Sequence, residues 1–228
     1  MNGTIIWQTV RKNRFDCRNL VTPKLISMKK ILFAAFPVAI AGMLLFGKVS
    51  DPLPIGSSLP QPDKKMKDIN GKEVSFKDAM RKNGLLVMFS CNTCPVVVKY
   101  ESRTLASCKT ALSNDIGVIL VNSNEAYRDN GDSYEDMKSY AKKLGYSFNY
   151  VVDENSAMAD AFGANRTPEC FLFNKEGKLV YHGAIDDNPN AATEAQPYLK
   201  WAFEKLVKNE KINPENTKSI GCTIKRRA

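Results

Sequence analysis

From Leu85 onward the chain alternates between unbroken apolar runs and longer stretches whose apolar residues return every three or four positions. Leu85 to Phe89 and Ile116 to Val121 are apolar runs, the pattern of buried strands, and Phe148 to Val152 reads as another strand. Val97, Val98, Tyr100, Leu105, Cys108 and Leu112 suit a helix that begins after Cys94. Tyr134, Met137, Tyr140, Ala141 and Leu144 recur at helical spacing, and Gly145 stands where such a helix ends. Ser156 to Phe162 predicts a short helix. Cys170 to Phe173 and Lys178 to Tyr181 flank Asn174-Lys175-Glu176-Gly177 and predict a hairpin, as do the apolar residues around Asn70-Gly71. Thr193 and Gln196 have capping-box spacing and predict the start of a last helix carrying Leu199, Ala202, Phe203 and Leu206 on its apolar side. Strands alternating with helices predict an α/β fold with helices on both faces of the sheet, and the closing hairpin makes that sheet mixed.

The first 47 residues break this pattern. They hold seven Lys or Arg against Asp16 alone, which is +6 of the formal net charge of +9. Lys29-Lys30 precedes an uncharged apolar run from Ile31 to Gly47, the form of a secretory signal that starts at Met28, or of an uncleaved anchor. We therefore expect a leader over 1–47, with a true start at Met28, and an exported bacterial protein, periplasmic or anchored facing the periplasm. The proline-rich stretch 48–62 reads as a linker or an extended lead-in strand. Residues 63–228 form the domain with its polar C-terminal tail. The +3 left outside the leader gives no case for nucleic acid, and membrane contact is expected only through the leader.

Chemistry concentrates at Cys91-Asn92-Thr93-Cys94, between a buried strand and a helix. The first turn of a helix offers unpaired N–H groups and the positive end of its dipole, so a thiolate there is expected to be stabilised and its pKa lowered. The spacer of two residues lets Cys94 attack a mixed disulfide formed at Cys91. Pro95 fits a first-turn position that has no N–H to lose. A zinc site would need two further ligands, and the chain has one histidine and no second CxxC. The reading is dithiol–disulfide exchange with no metal or organic cofactor. The expected partners are protein thiols or disulfides and a redox partner protein.

Phe89-Ser90-Cys91-Asn92-Thr93-Cys94-Pro95, Gly163 to Glu169, Tyr181 to Asp187 and Gly221-Cys222-Thr223-Ile224-Lys225 together resemble the thioredoxin-like superfamily. They are most similar to its redoxin branch, related to alkyl hydroperoxide reductase and thiol-specific antioxidant proteins. The resemblance implies a thioredoxin fold over about residues 55–225, with Thr167 and a cis Pro168 lining the substrate groove. It also brings a rival activity, thiol peroxidase through Cys91 with Cys94 or Cys222 resolving, and a non-catalytic binding module as a third reading. Three departures stand out. Ser90 replaces the tryptophan of thioredoxin. The strand Leu85 to Phe89 lacks its buried carboxylate, for which Glu169 is a substitute, although a solvated edge glutamate is the commoner case. The peroxidatic Thr or Ser three residues before the reactive cysteine is absent, since Met88 stands there for Cys91. Cys108 and Cys170 read as core thiols. Cys222 reads as a tail thiol that resolves the Cys91 disulfide or pairs with a partner, or as an inert one. His182 reads as a packing histidine, and Asp186-Asp187 as a turn.

Overall fold

The computed structural model describes residues 51–227. The leader over 1–47 and the start at Met28 lie outside them. No helix among the described residues is long and apolar enough to cross a membrane. A small hairpin, β1 (Met66–Lys67) and β2 (Glu73–Val74), leads through α1 (Phe76–Ala79) into β3 (Leu85–Ser90). Then follow α2 (Pro95–Ser113), β4 (Gly117–Asn122), α3 (Tyr134–Leu144), β5 (Asn149–Val152) and α4 (Ala157–Phe162). After these come β6 (Arg166–Thr167), β7 (Glu169–Phe173), β8 (Leu179–Gly183), α5 (Tyr198–Val207) and β9 (Cys222–Thr223).

The five-stranded sheet has the order β5-β4-β3-β7-β8. β3, β4 and β5 run parallel, and β7 and β8 are antiparallel additions, so the sheet is mixed as the terminal hairpin predicts. β3 is central and buried along its whole length. Its alternation feeds two cores. Leu86 and Met88 join Tyr100, Cys108, Met137, Leu199 and Phe203 of α2, α3 and α5 on one face. Leu85, Val87 and Phe89 join Phe76, Met158 and Phe162 of α1 and α4 on the other. Phe162 lies 5.2–5.8 Å, ring to ring, from Phe76, Phe89, Phe171 and Phe173, which fixes the end of β3 that carries the cysteines.

Both borders of the sheet are met by other parts of the chain. Beyond β5, Asp68 bridges Val151, and Ile69 N–H donates to the Tyr150 carbonyl at 3.1 Å. Beyond β8, His182 N–H donates to Glu215 O and Thr217 N–H donates to His182 O, each at 3.0 Å. From residue 51 the stretch read as a linker is tied to the domain. Leu53 N–H donates to Phe162 O, Gly56 N–H to Leu179 O, and Leu59 is buried. The backbone hydrogen bonds of Leu53, Gly56 and Leu59 make it an extended lead-in rather than a free connection.

Helix ends differ from the sequence reading in one place. α5 begins at Tyr198 with Pro197 as N-cap and no side-chain cap, while Thr193 lies within a short 3-10 turn, Ala192–Glu194. The predicted capping box is therefore absent; Gln196 N–H instead donates to the Asp187 carboxylate at 2.7 Å. Capping boxes do occur at Ser75/Asp78 and Ser133/Asp136, where aspartate takes the place of the usual Glu or Gln. Gly145 closes α3 in the left-handed conformation, as expected. Val98, placed on the apolar side of α2, is instead 49% exposed. Ser133→Ala removes the acceptor for Asp136 N–H and is expected to lower stability by about 1 kcal/mol. A chemical denaturation curve reads this; an unchanged midpoint would show that the cap contributes nothing.

Candidate active site

The site forms where β3 and β4 end together, with Ser90 opposite Asn122 in the parallel register. Such an edge, beyond the carboxyl ends of parallel strands, is where α/β sheets place their ligands. Cys91 follows β3 directly, Cys94 is the N-cap of α2, and Pro95 is its first residue. The turn between them is held from behind by one carboxylate. Asp132 is fully buried, and it accepts from Asn92 N–H at 2.7 Å and from the Thr93 hydroxyl at 2.8 Å. It also accepts from the Asn122 and Asn124 side-chain amides at 2.9 and 3.0 Å. The Tyr150 hydroxyl donates to Asn92 Oδ1 at 2.9 Å and accepts from Asn122 Nδ2 at 3.0 Å. Arg128 reaches into the same network, donating to Asn122 Oδ1 at 3.0 Å and to the Asp132 carbonyl at 2.9 Å.

In front of the turn stands the loop before β7. The Thr167-Pro168 peptide is cis, as the resemblance implies. Cys91 Sγ lies 3.3 Å from Thr167 Oγ1, and Cys94 Sγ lies 3.4 Å from the Thr167 carbonyl oxygen. Both motif sulfurs thus converge on one residue. Cys91 is fully buried. Burial pushes its thiol above the ordinary value of 9.0, and the nearby Asp132 carboxylate adds to the rise. The Thr167 hydroxyl and the amides of Cys94 and Thr93 pull the other way. The helix start acts on Cys91 as expected, but loss of water outweighs it, so the expected lowering of its pKa is reversed in this state.

Cys94 is bonded to Cys222 in a disulfide, with Cα atoms 6.1 Å apart, and Cys91 is free. Cys222 therefore pairs with Cys94 here, not with Cys91 as one of the readings of the tail had it. β9 carries it there, pairing antiparallel with β6 through Thr167 opposite Cys222 and Arg166 opposite Thr223. Ile224 N–H donates to Asn165 O, Lys225 N–H to Asn124 Oδ1, and Arg166 Nη1 to Gly221 O. Gly221 is required by this approach: a Cβ there would stand 2.1 Å from the Thr167 carbonyl oxygen.

Glu169 is not a solvated edge residue. It is 3% exposed; Oε2 accepts from Asn165 and Arg166 N–H at 2.7 and 2.9 Å, and Oε1 lies 2.8 Å from His182 Nε2. These partners supply the compensation a buried carboxylate requires, and they make Glu169 a clamp on the loop that presents Thr167. His182 packs against the Phe171 ring, as a packing histidine should. Asp186 makes the expected local turn but also holds Tyr100 and Arg103 of α2, at 2.7 and 2.6 Å. Cys108 and Cys170 are fully buried core thiols, and burial pushes both pKa values up. Sequence reasoning missed Asp132, Asn122, Asn124 and Tyr150. The available signal was polar Asn122-Ser123-Asn124 directly after a buried strand that adjoins the motif strand.

A cysteine pair fed by the central strand of such a sheet, facing a Thr-Pro loop, defines the thioredoxin-like group. Within that group the chain belongs to the AhpC/TSA family, whose pattern matches residues 58–182. None of the curated proteins compared matches it. Among solved structures, an uncharacterized conserved protein from Geobacillus kaustophilus is 30% identical, with a TM-score of 0.71 over 76% of this chain and 93% of that one. A hypothetical protein from Sinorhizobium meliloti 1021 is 29% identical, with a TM-score of 0.72 over 78% of this chain and 98% of that one. A candidate thiol:disulfide interchange protein, DsbE, from Chlorobium tepidum shares the fold at 15% identity, with a TM-score of 0.52 over 69% of this chain and 97% of that one.

Proposed function

We propose that this protein is an exported thiol–disulfide oxidoreductase acting on protein disulfides through Cys91 and Cys94. The observation that carries the reading is the convergence of both sulfurs on Thr167, within 3.3 and 3.4 Å, at the start of the loop where a substrate strand can pair. In the reduced protein the Cys91 thiolate attacks a substrate disulfide. A mixed disulfide forms at Cys91 and one substrate thiolate leaves. Cys94 then attacks Cys91 Sγ, the Cys91–Cys94 bond forms, and the second substrate thiolate leaves. Thr167 and the amides of Thr93 and Cys94 stabilise the charge on Cys91 during attack. A partner protein renews the dithiol. Export is supported by the pattern of the leader.

Family membership favours a second reading, peroxide reduction through Cys91. One experiment separates them. With Cys94 and Cys222 both changed to Ser, Cys91 is the last thiol of the site. Incubation with a disulfide-bonded protein is expected to accumulate a covalent complex that dithiothreitol releases. No complex, together with rapid Cys91-dependent consumption of hydrogen peroxide by the wild-type protein, would overturn the exchange reading in favour of the peroxidase.

A further inference from the structure

We propose that Cys222 is an internal exchange partner of the CxxC pair, so that one disulfide migrates between Cys94–Cys222 and Cys91–Cys94. The inference rests on the exchange reading above and deepens it. Cys91, Cys94 and Val97 form one buried cluster against which Cys222 packs. Thr167 meets all three sulfur-bearing residues. Its hydroxyl lies by Cys91, its carbonyl by Cys94, and its backbone pairs with Cys222. A free thiol beside a disulfide in one cluster is the arrangement that exchange requires.

The step balances without any outside oxidant. The Cys91 thiolate attacks Cys94 Sγ, the Cys91–Cys94 bond forms, and the Cys94–Cys222 bond breaks. The electron pair leaves on Cys222, which takes up the proton that Cys91 gave to solvent. The number of disulfides is unchanged. The products differ in where the free thiol lies. In the first isomer it is fully buried at Cys91; in the second it is at the partly exposed Cys222, where water stabilises a departing thiolate.

The second consequence concerns the groove. β9 lies on β6 by antiparallel strand pairing, the mode in which a substrate segment would bind there. While Cys222 is bonded to Cys94, the tail occupies the groove as an internal substrate and Cys91 is shut away. After migration β9 keeps no covalent tie and is held by its strand pairing, by buried Ile224 beside it and by the Arg226–Asp160 ion pair, contacts that an incoming strand can displace without breaking a bond. The tail is thus a covalent latch that opens by the chemistry it guards.

The test uses the full chain with one disulfide in the cluster. Trypsin places Cys91 and Cys94 together in the peptide 83–99 and Cys222 in 219–225. Under acid, where exchange is frozen, the two peptides should be cross-linked. After a jump to mildly alkaline pH with N-ethylmaleimide present, label should accumulate on 219–225. Peptide 83–99 should then become free, carrying an internal disulfide, at a rate independent of protein concentration. In Cys91→Ser the cross-link should persist and 219–225 should stay unlabelled. Label confined to Cys91 with the cross-link intact would overturn the proposal, as would an equal loss of the cross-link in Cys91→Ser. Reduction of an external protein disulfide, measured in parallel, separates the two ideas. Cys91-dependent reduction beside an immobile cross-link removes the migration and keeps the exchange reading. Migration without any external reduction does the reverse.

Discussion

Cys91→Ser is expected to take the reduction of a protein disulfide down to the uncatalysed background, a loss of about three orders of magnitude or more. The size of the effect follows from chemistry rather than from folding. Serine is nearly isosteric and its hydroxyl can keep the contact with Thr167 Oγ1, so the site should stay assembled. What disappears is the one free sulfur of the cluster, and an alcohol does not attack disulfides at neutral pH. The wild-type rate carries a second signature. While Cys94 is bonded to Cys222, burial holds the Cys91 thiol above its ordinary value of 9.0, so in that state its anion is a small fraction at neutral pH. With Cys94 bonded to Cys222, the Cys91-dependent labelling of Cys222 should climb by about tenfold per pH unit through the neutral and mildly alkaline range. Insulin-type reduction followed by turbidity, with circular dichroism to confirm the fold, reads the first effect. A Cys91→Ser protein that reduced the disulfide at the wild-type rate would remove Cys91 from the mechanism.

Asp132→Ala should produce the largest loss of stability among the site substitutions, about 3–5 kcal/mol. The carboxylate is fully buried and receives four donors, from Asn92, Thr93, Asn122 and Asn124. Alanine takes this acceptor from all four, and of these Asn122 and Asn124 are buried while Asn92 and Thr93 are half-buried. Domains are commonly stable by about 5–15 kcal/mol, so the variant would be marginal. Asp132→Asn discriminates the electrostatic part. It keeps much of the volume but removes the negative charge that raises the Cys91 pKa, so Cys91 in folded protein should alkylate faster at neutral pH. Denaturant titration and alkylation kinetics read the two effects separately. A denaturation midpoint unchanged in Asp132→Ala would mean that the carboxylate does not organise the turn.

Much of this architecture was legible in the residue pattern. Leu85 to Phe89 reads as a doubly buried strand because both of its faces are apolar, and the two cores confirm why they must be. The hairpin at Asn174 to Gly177 and the helix ending at Gly145 follow from local turn chemistry. The resemblance placed Thr167 and Pro168 opposite the cysteines. What the sequence hid depends on contacts between distant segments. Asp132 lies 40 positions from Asn92 and looks like any loop aspartate until the strands bring it beneath the motif. Glu169 reads as a surface residue because glutamate usually is one; only the His182 side chain and two backbone amides explain its burial. The Cys94–Cys222 bond spans 128 positions and depends on β9 folding back across the chain. The α5 cap failed for a different reason. A spacing rule was satisfied by letters whose backbone follows a 3-10 turn instead.

The borders of the sheet bear on how this protein behaves in a crowded compartment. An unpaired strand edge is a template on which foreign chains add and aggregates grow. Asp68 and Ile69 cover β5, and Glu215 to Thr217 cover β8, so the sheet offers neither side to a stranger. β6 is covered by β9 alone, under a bond that thiols can cut. Reducing conditions would therefore do more than recharge the cysteines. They would remove the one covalent tie on β9 and leave the edge covered by contacts that another strand can displace, with buried Ile224 and the Arg226–Asp160 ion pair still holding the tail in place.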